Sequence, residues 1–478
     1  MPNVQHARSG PVQSSNTASP FWIGGQGPDD LWIATPCHIK DHAIVASISD
    51  LPPRLFFCRD TTAMINEDSP QPLKVTIVGA GIGGLATAIA LRRNGHLVQV
   101  LETSEIKTEI GAGIGVQVNA LRVLEHWGLV RENLKGVSYD GITTFDSKTG
   151  DGVARRWLLP DMDQNRSLLC HRKDVHDELM RLAVGVEGEG PPARLHLGRR
   201  VVDCSPEDGT ITLKDGEIIH ADLVIGADGL HSIIRTSILG HVQTAPASGY
   251  SCFRSLVDAS KLREIDDIDA EWFTEGLSGM RGLQIKEGEG YRMVVMYLCR
   301  SGTLINLVSI YADPHQDNPD WSPVGTREEL LRIFHDLHPK FLALLSLSDT
   351  PILRWQLRVL PLLDNWIRGH AALLGDAAHA TLPTLGQGAA LAIEEAGALG
   401  CLLPRGTRRE DVPGRLEAYQ TLRKPRGDYV NREALEQATE PVKRGLYFRS
   451  HEVQDYLLRH NAIKDAQEYY EKYFGSGA

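Results

Sequence analysis

Regular spacing of apolar positions begins at Leu73. Leu73–Val78 is a short β-branched run, which predicts a buried strand. Leu85–Asn94 carries its apolar residues at helical spacing, Gly95 closes it, and a second apolar run follows at Leu97–Leu101. Further along, Ser167–Arg172 reads as a strand ending in a basic residue, with Asp174 placed to cap a helix from Val175. Thr210–Lys214 and Glu217–His220 flank an Asp-Gly turn and predict a hairpin, and Leu223–Ile225 predicts another buried strand. The middle of the chain reads differently: Gly249–Val257, Tyr291–Cys299 and Leu304–Tyr311 are strand patterns without helices between them. Then a small strand, Ala371–Leu374, leads to a helix from Ala389 to Leu399, and Arg415–Lys424 and Glu433–Arg444 are further helix candidates. The fold class is α/β.

Residues 1–72 keep neither period. They hold Ser-Ser, Pro-Pro and Gly-Gly breakers and predict a poorly structured extension whose removal leaves function intact. Their start is rich in Ser and Thr with no acid before Asp29, but arginine is scarce and no amphipathic helix appears, so a targeting role is not supported. A wrongly chosen translation start would read the same way.

Composition narrows the function. At roughly 150 residues per domain, the 478 residues allow two or three domains. A hydrophobic share of 42% and a charged share of 23% are those of an ordinary globular protein. The net charge of −11 argues against nucleic-acid binding, and no apolar run approaches the roughly 18 residues of a membrane span. Seven cysteines without a CxxC form neither a disulfide framework nor a zinc site, and predict a reducing, cytoplasmic setting. His335 and His338 have HxxH spacing but no third ligand beside them, so no metal is expected.

The first strand runs into Gly79-Ala-Gly81-Ile-Gly-Gly84 and then a helix, the strand–turn–helix unit of a Rossmann-like dinucleotide site. Gly79 permits the tight turn, Gly81 lets backbone approach a pyrophosphate, and Gly84 lets the helix pack on the strand. Glu102 ends the next strand at the roughly 20-residue spacing where a carboxylate meets ribose hydroxyls. This motif does not separate NAD from FAD. Three later segments do. Arg172 at a strand end suits a phosphate; Gly226-Ala-Asp228-Gly229 repeats a strand ending in a carboxylate; and Gly375-Asp376 is followed by Pro383 and Gly386-Gln-Gly388-Ala389 at a helix start. Asp376 can bond ribityl hydroxyls, and helix-start N–H groups stabilise the negative charge that a flavin develops on reduction. His379 is read as support for this turn.

Together the motifs GAGIGG (79–84) with Glu102, CHRKD (170–174), GADGLHSIIR (226–235) and GDAAHATLPTLGQG (375–388) resemble the single-component FAD-dependent aromatic monooxygenases of the salicylate/para-hydroxybenzoate hydroxylase type. The likeness covers residues 73–478, includes the flavin-passing segment Glu109–Leu129, and is closest in style to fungal secondary-metabolism members. It implies an FAD-binding domain in two parts (73–244 and 366–411), an inserted substrate-binding β-sheet domain (245–365) and C-terminal helices (412–478). It also implies that Glu102, Gly115, Arg172, Asp376 and Ala389 contact FAD, with Asp228 near the pyrophosphate. The family reaction uses NADPH or NADH and O2: the flavin is reduced, takes O2 to a C4a-hydroperoxide, and hydroxylates an aromatic or phenolic ring. In Tyr250-Ser-Cys-Phe-Arg254 the arginine occupies a position that often faces substrate, and Tyr297 matches a family tyrosine, although Leu298 replaces the proline that usually follows. A polyketide-derived phenol is the expected substrate. Salicylate-type hydroxylation of simple aromatic acids, and flavin binding without turnover, stay open, as does a homodimer.

Overall fold

The computed structural model of the chain describes residues 71–105, 112–156, 167–265, 271–287, 290–314, 323–349, 352–439 and 451–475. The expected extension, and part of the flavin-passing segment, lie outside the described residues. The two largest of four sheets among the described residues organise the rest. In the first, six strands run in the order Ile367–Arg368, Ala371–Leu373, Leu223–Gly226, Lys74–Val78, Leu97–Leu101, Arg194–His196. All neighbouring pairs are parallel except the edge pair Ile367–Arg368 with Ala371–Leu373. Ile77, Val100, Val224 and Leu373 are buried without exposure, because helices cover such strands on both faces. The helices Ile82–Arg93 and Gly388–Leu402 pack on each other through small residues. A Cβ at Gly83 would lie 3.2 Å from that of Ala392, and one at Gly400 would lie 3.1 Å from that of Ala90.

The second sheet has eight strands: Val324–Gly325, Ile352–Arg358, Ala247–Asp258, Leu304–Ala312, Gly290–Cys299, Gly279–Glu287, Gly141–Phe145 and Gly152–Arg156. It is not confined to 245–365, since two strands arrive from before residue 157. The first of these pairs parallel with Gly279–Glu287 and is followed by its own hairpin partner. Alternation divides the sheet into two faces. Val294, Met296, Ile305 and Leu307 pack with Phe334, Phe341 and Leu344 from the helices Arg327–Ile333 and Pro339–Ser346 and the residues beside them. The neighbouring positions Met293, Val295, Tyr297, Val308 and Ile310 look the other way, into a cavity.

Two local expectations change. The helix after Ser167–Arg172 starts at Arg172, so Asp174 lies in its first turn and not at its cap. Its carboxylate instead accepts from Arg300 Nε (2.8 Å) and Nη2 (3.0 Å) and pairs with Lys135 (3.4 Å). The two expected C-terminal helices begin as one, Val412–Thr439, which continues through Pro425. Arg423 and Arg426, on either side of that proline, both bind the buried Glu394 and tie the helix down there. Among the described residues no helix is long and apolar enough to cross a membrane.

Candidate active site

Two glycine turns make one side of a cavity of about 580 Å³. At the first turn, Gly79 has φ +104°, and a Cβ there would stand 2.3 Å from the Ala227 carbonyl oxygen. A Cβ on Gly84 would stand 2.0 Å from the Gly79 oxygen, so both positions need glycine for the protein's own packing. Gly81 and Gly388 differ. Both line the cavity, neither has a positive φ, and nothing lies within 4 Å of the place a Cβ would occupy. They are glycines without an internal reason, and they leave room at the starts of two helices. Gly81 is the N-cap residue of Ile82–Arg93 and Gln387 that of Gly388–Leu402, and no side chain caps either helix. Free N–H groups and the positive helix end suit an anionic or electron-rich ligand.

The opposite side belongs to the eight-stranded sheet. Arg254 pairs across to Val308, and Val308 to Val295; beside that row lie Ile310 with Met293 and Asn306 with Tyr297. The Arg254 guanidinium carbon sits 4.7 Å from the centre of the Trp355 ring, a cation–π contact, while its Nε is buried with no hydrogen-bond partner. Tyr297 is 4% exposed, and burial pushes its hydroxyl well above the usual phenol range, so it keeps its proton at neutral pH. The two sides meet at Gly113, whose N–H donates to Asn306 Oδ1 (2.7 Å) and where a Cβ would strike the Tyr297 ring at 2.6 Å.

Of the residues singled out in the sequence, Gly81, Gly115, Arg172, Arg254 and Tyr297 line this cavity together, as do Asp376, Gly386, Gly388 and Ala389. Gly79, Gly84, Glu102 and Asp228 are not part of its lining. Glu102, at the end of its strand, accepts from the backbone N–H of Ala80 (2.9 Å) and Ser104 (2.8 Å). The Asp228 carboxylate is used at the start of the next helix: it accepts from Ser232 Oγ (2.5 Å), Ile233 N (2.8 Å) and Ile234 N (3.2 Å). Ala227, Gly229 and Leu230 form the cavity lining at that point instead. His379 is buried, and its Nε2 lies 2.7 Å from Glu395, whose other oxygen accepts from Gly375 N (2.9 Å). The strand Ile352–Arg358 contributes Trp355, Gln356, Leu357 and Arg358 to the cavity, none of which the sequence singles out; four consecutive lining residues do not follow the two-residue alternation of a strand, so periodicity gave no signal for them.

Among the described residues, the charged side chains on the cavity are three arginines, Arg172, Arg254 and Arg358, against one carboxylate, Asp376. With two uncapped helix starts, the site favours a dinucleotide at one end and an acidic ring substituent at the other. The room left by Gly81 and Gly388 fits FAD; when bound, FAD supplies the redox chemistry.

A nucleotide turn, a flavin-type helix start and a cationic apolar wall facing both define a flavin-dependent hydroxylase. The family described as "FAD binding domain" matches residues 72–434, and the chain belongs to that family. Hispidin-3-hydroxylase of Neonothopanus nambi is 41% identical to it over 413 residues, which covers 83% of this chain and 96% of that protein. The FAD-dependent monooxygenase cfoG of Aspergillus candidus is 38% identical over 374 residues, covering 76% and 84%. A solved structure of a salicylate hydroxylase substrate complex resembles the chain with a TM-score of 0.67 at 26% identity, covering 83% of this chain and 98% of that one. The protein is an FAD-dependent aromatic monooxygenase of the class that typically uses NAD(P)H, which sets aside flavin binding without turnover.

Proposed function

We propose that the enzyme hydroxylates a phenol of polyketide type, hispidin or a near analogue, in secondary metabolism. The observation that carries this is Arg254: a guanidinium held over Trp355, with a buried unpartnered Nε, beside the apolar side chains of Met293, Val295, Val308 and Ile310. Electrophilic hydroxylation is faster on a phenolate than on a phenol. Arg254 favours that anion, and the un-ionised Tyr297 donates to the same oxygen. Met293, Val295, Val308 and Ile310 cover the ring and exclude water. Gly81, Arg172, Asp376 and the Gly386–Ala389 turn hold FAD, with Glu102 at the ribose end. The similarity to hispidin-3-hydroxylase supports the substrate class. The free cysteines among the described residues, Cys170, Cys204, Cys252, Cys299 and Cys401, suit a reducing, cytoplasmic setting.

The test is a substrate panel. The purified flavoprotein is mixed under air with NADH or NADPH and with hispidin, other polyketide phenols, or salicylate. NAD(P)H oxidation and product mass are followed. The expected result is one added oxygen on hispidin or a polyketide phenol, matched to NAD(P)H consumed. Preferential turnover of salicylate with loss of CO2 would replace this reading by the salicylate type.

A further inference from the structure

Glu394 lies on the helix Gly388–Leu402 with 0% exposure, and its carboxylate accepts from Arg426 Nε (2.7 Å) and Nη2 (2.8 Å), from Arg423, and from Asn119 Nδ2 (2.6 Å). The same Asn119 nitrogen also donates to Gln387 Oε1 (3.0 Å). Gln387 Nε2 donates to Gln117 Oε1, and Gln117 Nε2 donates to the carbonyls of Leu385 and Gly386 at 3.2 Å each. Three buried carboxamides therefore join an ionised carboxylate to the turn that leads into Gly388.

Both ends of this chain can only accept hydrogen bonds, so one amide between them must donate in both directions. Asn119 does so, and its Oδ1 is left buried without a partner. That orphan atom is the cost of the arrangement, and reversing any one amide would set acceptor against acceptor. A second observation agrees. Gln117 and Gln387 are the N-cap residues of Val118–His126 and Gly388–Leu402, positions that favour Ser, Thr, Asp or Asn. Neither glutamine caps its helix; both side chains serve the chain of amides instead.

We propose that Gln117, Asn119 and Gln387 are positioning residues, a hydrogen-bond relay that donates from Asn119 toward the turn, whose direction is set by Glu394 and which holds the Leu385–Gly388 turn in register with the flavin. Fixing the carbonyls of Leu385 and Gly386 fixes the planes of their peptides, and with them the approach to the uncapped N–H groups of Gly388 and Ala389. Gly386 has φ +59°, and a Cβ there would come within 3.1 Å of Gln117 Nε2, so the amide lies against the turn itself. The inference rests on the assignment of this turn to FAD.

The test uses Gln117→Met, Gln387→Met and Gln117→Glu in the full chain. FAD affinity, the visible spectrum of the bound flavin and its midpoint potential are measured. Each methionine variant should bind FAD about tenfold more weakly, as expected for losing the two modest hydrogen bonds of Gln387 or the three of Gln117. The spectrum should shift and the potential fall. Gln117→Glu should be worse than Gln117→Met, because a carboxylate cannot donate to the two carbonyls. Methionine variants that match the wild type in all three readouts would overturn the relay, and so would failure of both to fold, which would leave it a role in stability alone. Gly388→Val separates the two claims. If it leaves FAD binding unchanged, the turn does not face FAD. If it abolishes binding while both methionine variants behave as wild type, only the relay fails.

Discussion

On the flavin side the cavity is bounded largely by backbone at glycine turns and helix starts; on the substrate side it is bounded by side chains on one face of a sheet. The two surfaces constrain sequence differently. Backbone recognition needs particular glycines, because a Cβ would occupy the ligand's space or strain the turn. A sheet face needs only alternation to aim its residues, and many apolar residues fit each position. The flavin side also hides a buried ion cluster, Glu394 with Arg423 and Arg426, whereas the cavity face of the substrate sheet presents the apolar rows around Arg254 and Tyr297.

The largest expected effect sharpens this contrast through that cluster. Burial works against the charge of Glu394, but Arg426 and Arg423 prevail and hold its carboxyl well below the usual range. Glu394→Gln removes the anion and leaves two guanidiniums without their counter-charge, at a cost of about 3–5 kcal/mol. Thermal unfolding of the variant at pH 7 checks this. Because the folded pKa is depressed, the pair's contribution is present above the unfolded value of about 4.3 and is lost as pH falls below it. The wild type should therefore lose melting temperature in that acid range more steeply than Glu394→Gln does.

Next comes Gly388→Val. The folded chain has open space at this position, so melting of the FAD-free protein should change little, while FAD affinity should drop by about a hundredfold, or about 2.7 kcal/mol. Gly84→Val makes the control, because a side chain there meets the Gly79 backbone and should damage the fold itself. Equal behaviour of the two variants in melting and FAD titration would erase the distinction between ligand glycines and packing glycines.

Most of the flavin side is legible in the amino-acid sequence, since strand, glycine turn, helix and strand-end acid recur at fixed spacings. What is not legible there has a physical reason. An acid after a strand and before Gly-Leu-His looks alike whether it faces a ligand or, as Asp228 does, accepts from the N–H groups of the following helix. Gln117, Asn119, Gln387 and Glu394 meet only in space, and no single segment displays them as a motif. The strand Gly141–Phe145 joins the second sheet by a long-range parallel pairing, which local periodicity does not encode. On the substrate side, alternation alone placed Met293, Val295 and Tyr297 on one face; the stacking of Trp355 under Arg254 depends on the register between two distant strands, Cys252 opposite Trp355.

Arg254→Ala tests the other side of the cavity. FAD content should be unchanged, because Arg254 stands on the sheet and away from the glycine turns. Product formed per NAD(P)H consumed should fall by about one to two decades, the worth of a charge-assisted hydrogen bond of about 1.5–3 kcal/mol. Lysine at this position should restore part of the loss, since it supplies the charge without the planar fork and stacks less well on Trp355. Loss of FAD from Arg254→Ala would mean that the two sides are not separable.

The smallest effect belongs to Tyr297→Phe. The ring and its packing against Gly113 stay, and only the hydroxyl goes, so neither melting nor FAD affinity should move beyond a few tenths of a kcal/mol. Burial keeps this hydroxyl protonated, so it brings a hydrogen bond but no charge of its own, and such a bond to an ionised oxygen contributes about 1.5 kcal/mol at the low end of its range. Coupled hydroxylation should fall about tenfold, less than in Arg254→Ala. The two losses should be less than additive in the double variant, because both groups bind one oxygen and removing either disorders the other's partner. Full additivity, measured as product per NAD(P)H at matched flavin content, would place the tyrosine hydroxyl and the guanidinium on different atoms of the substrate.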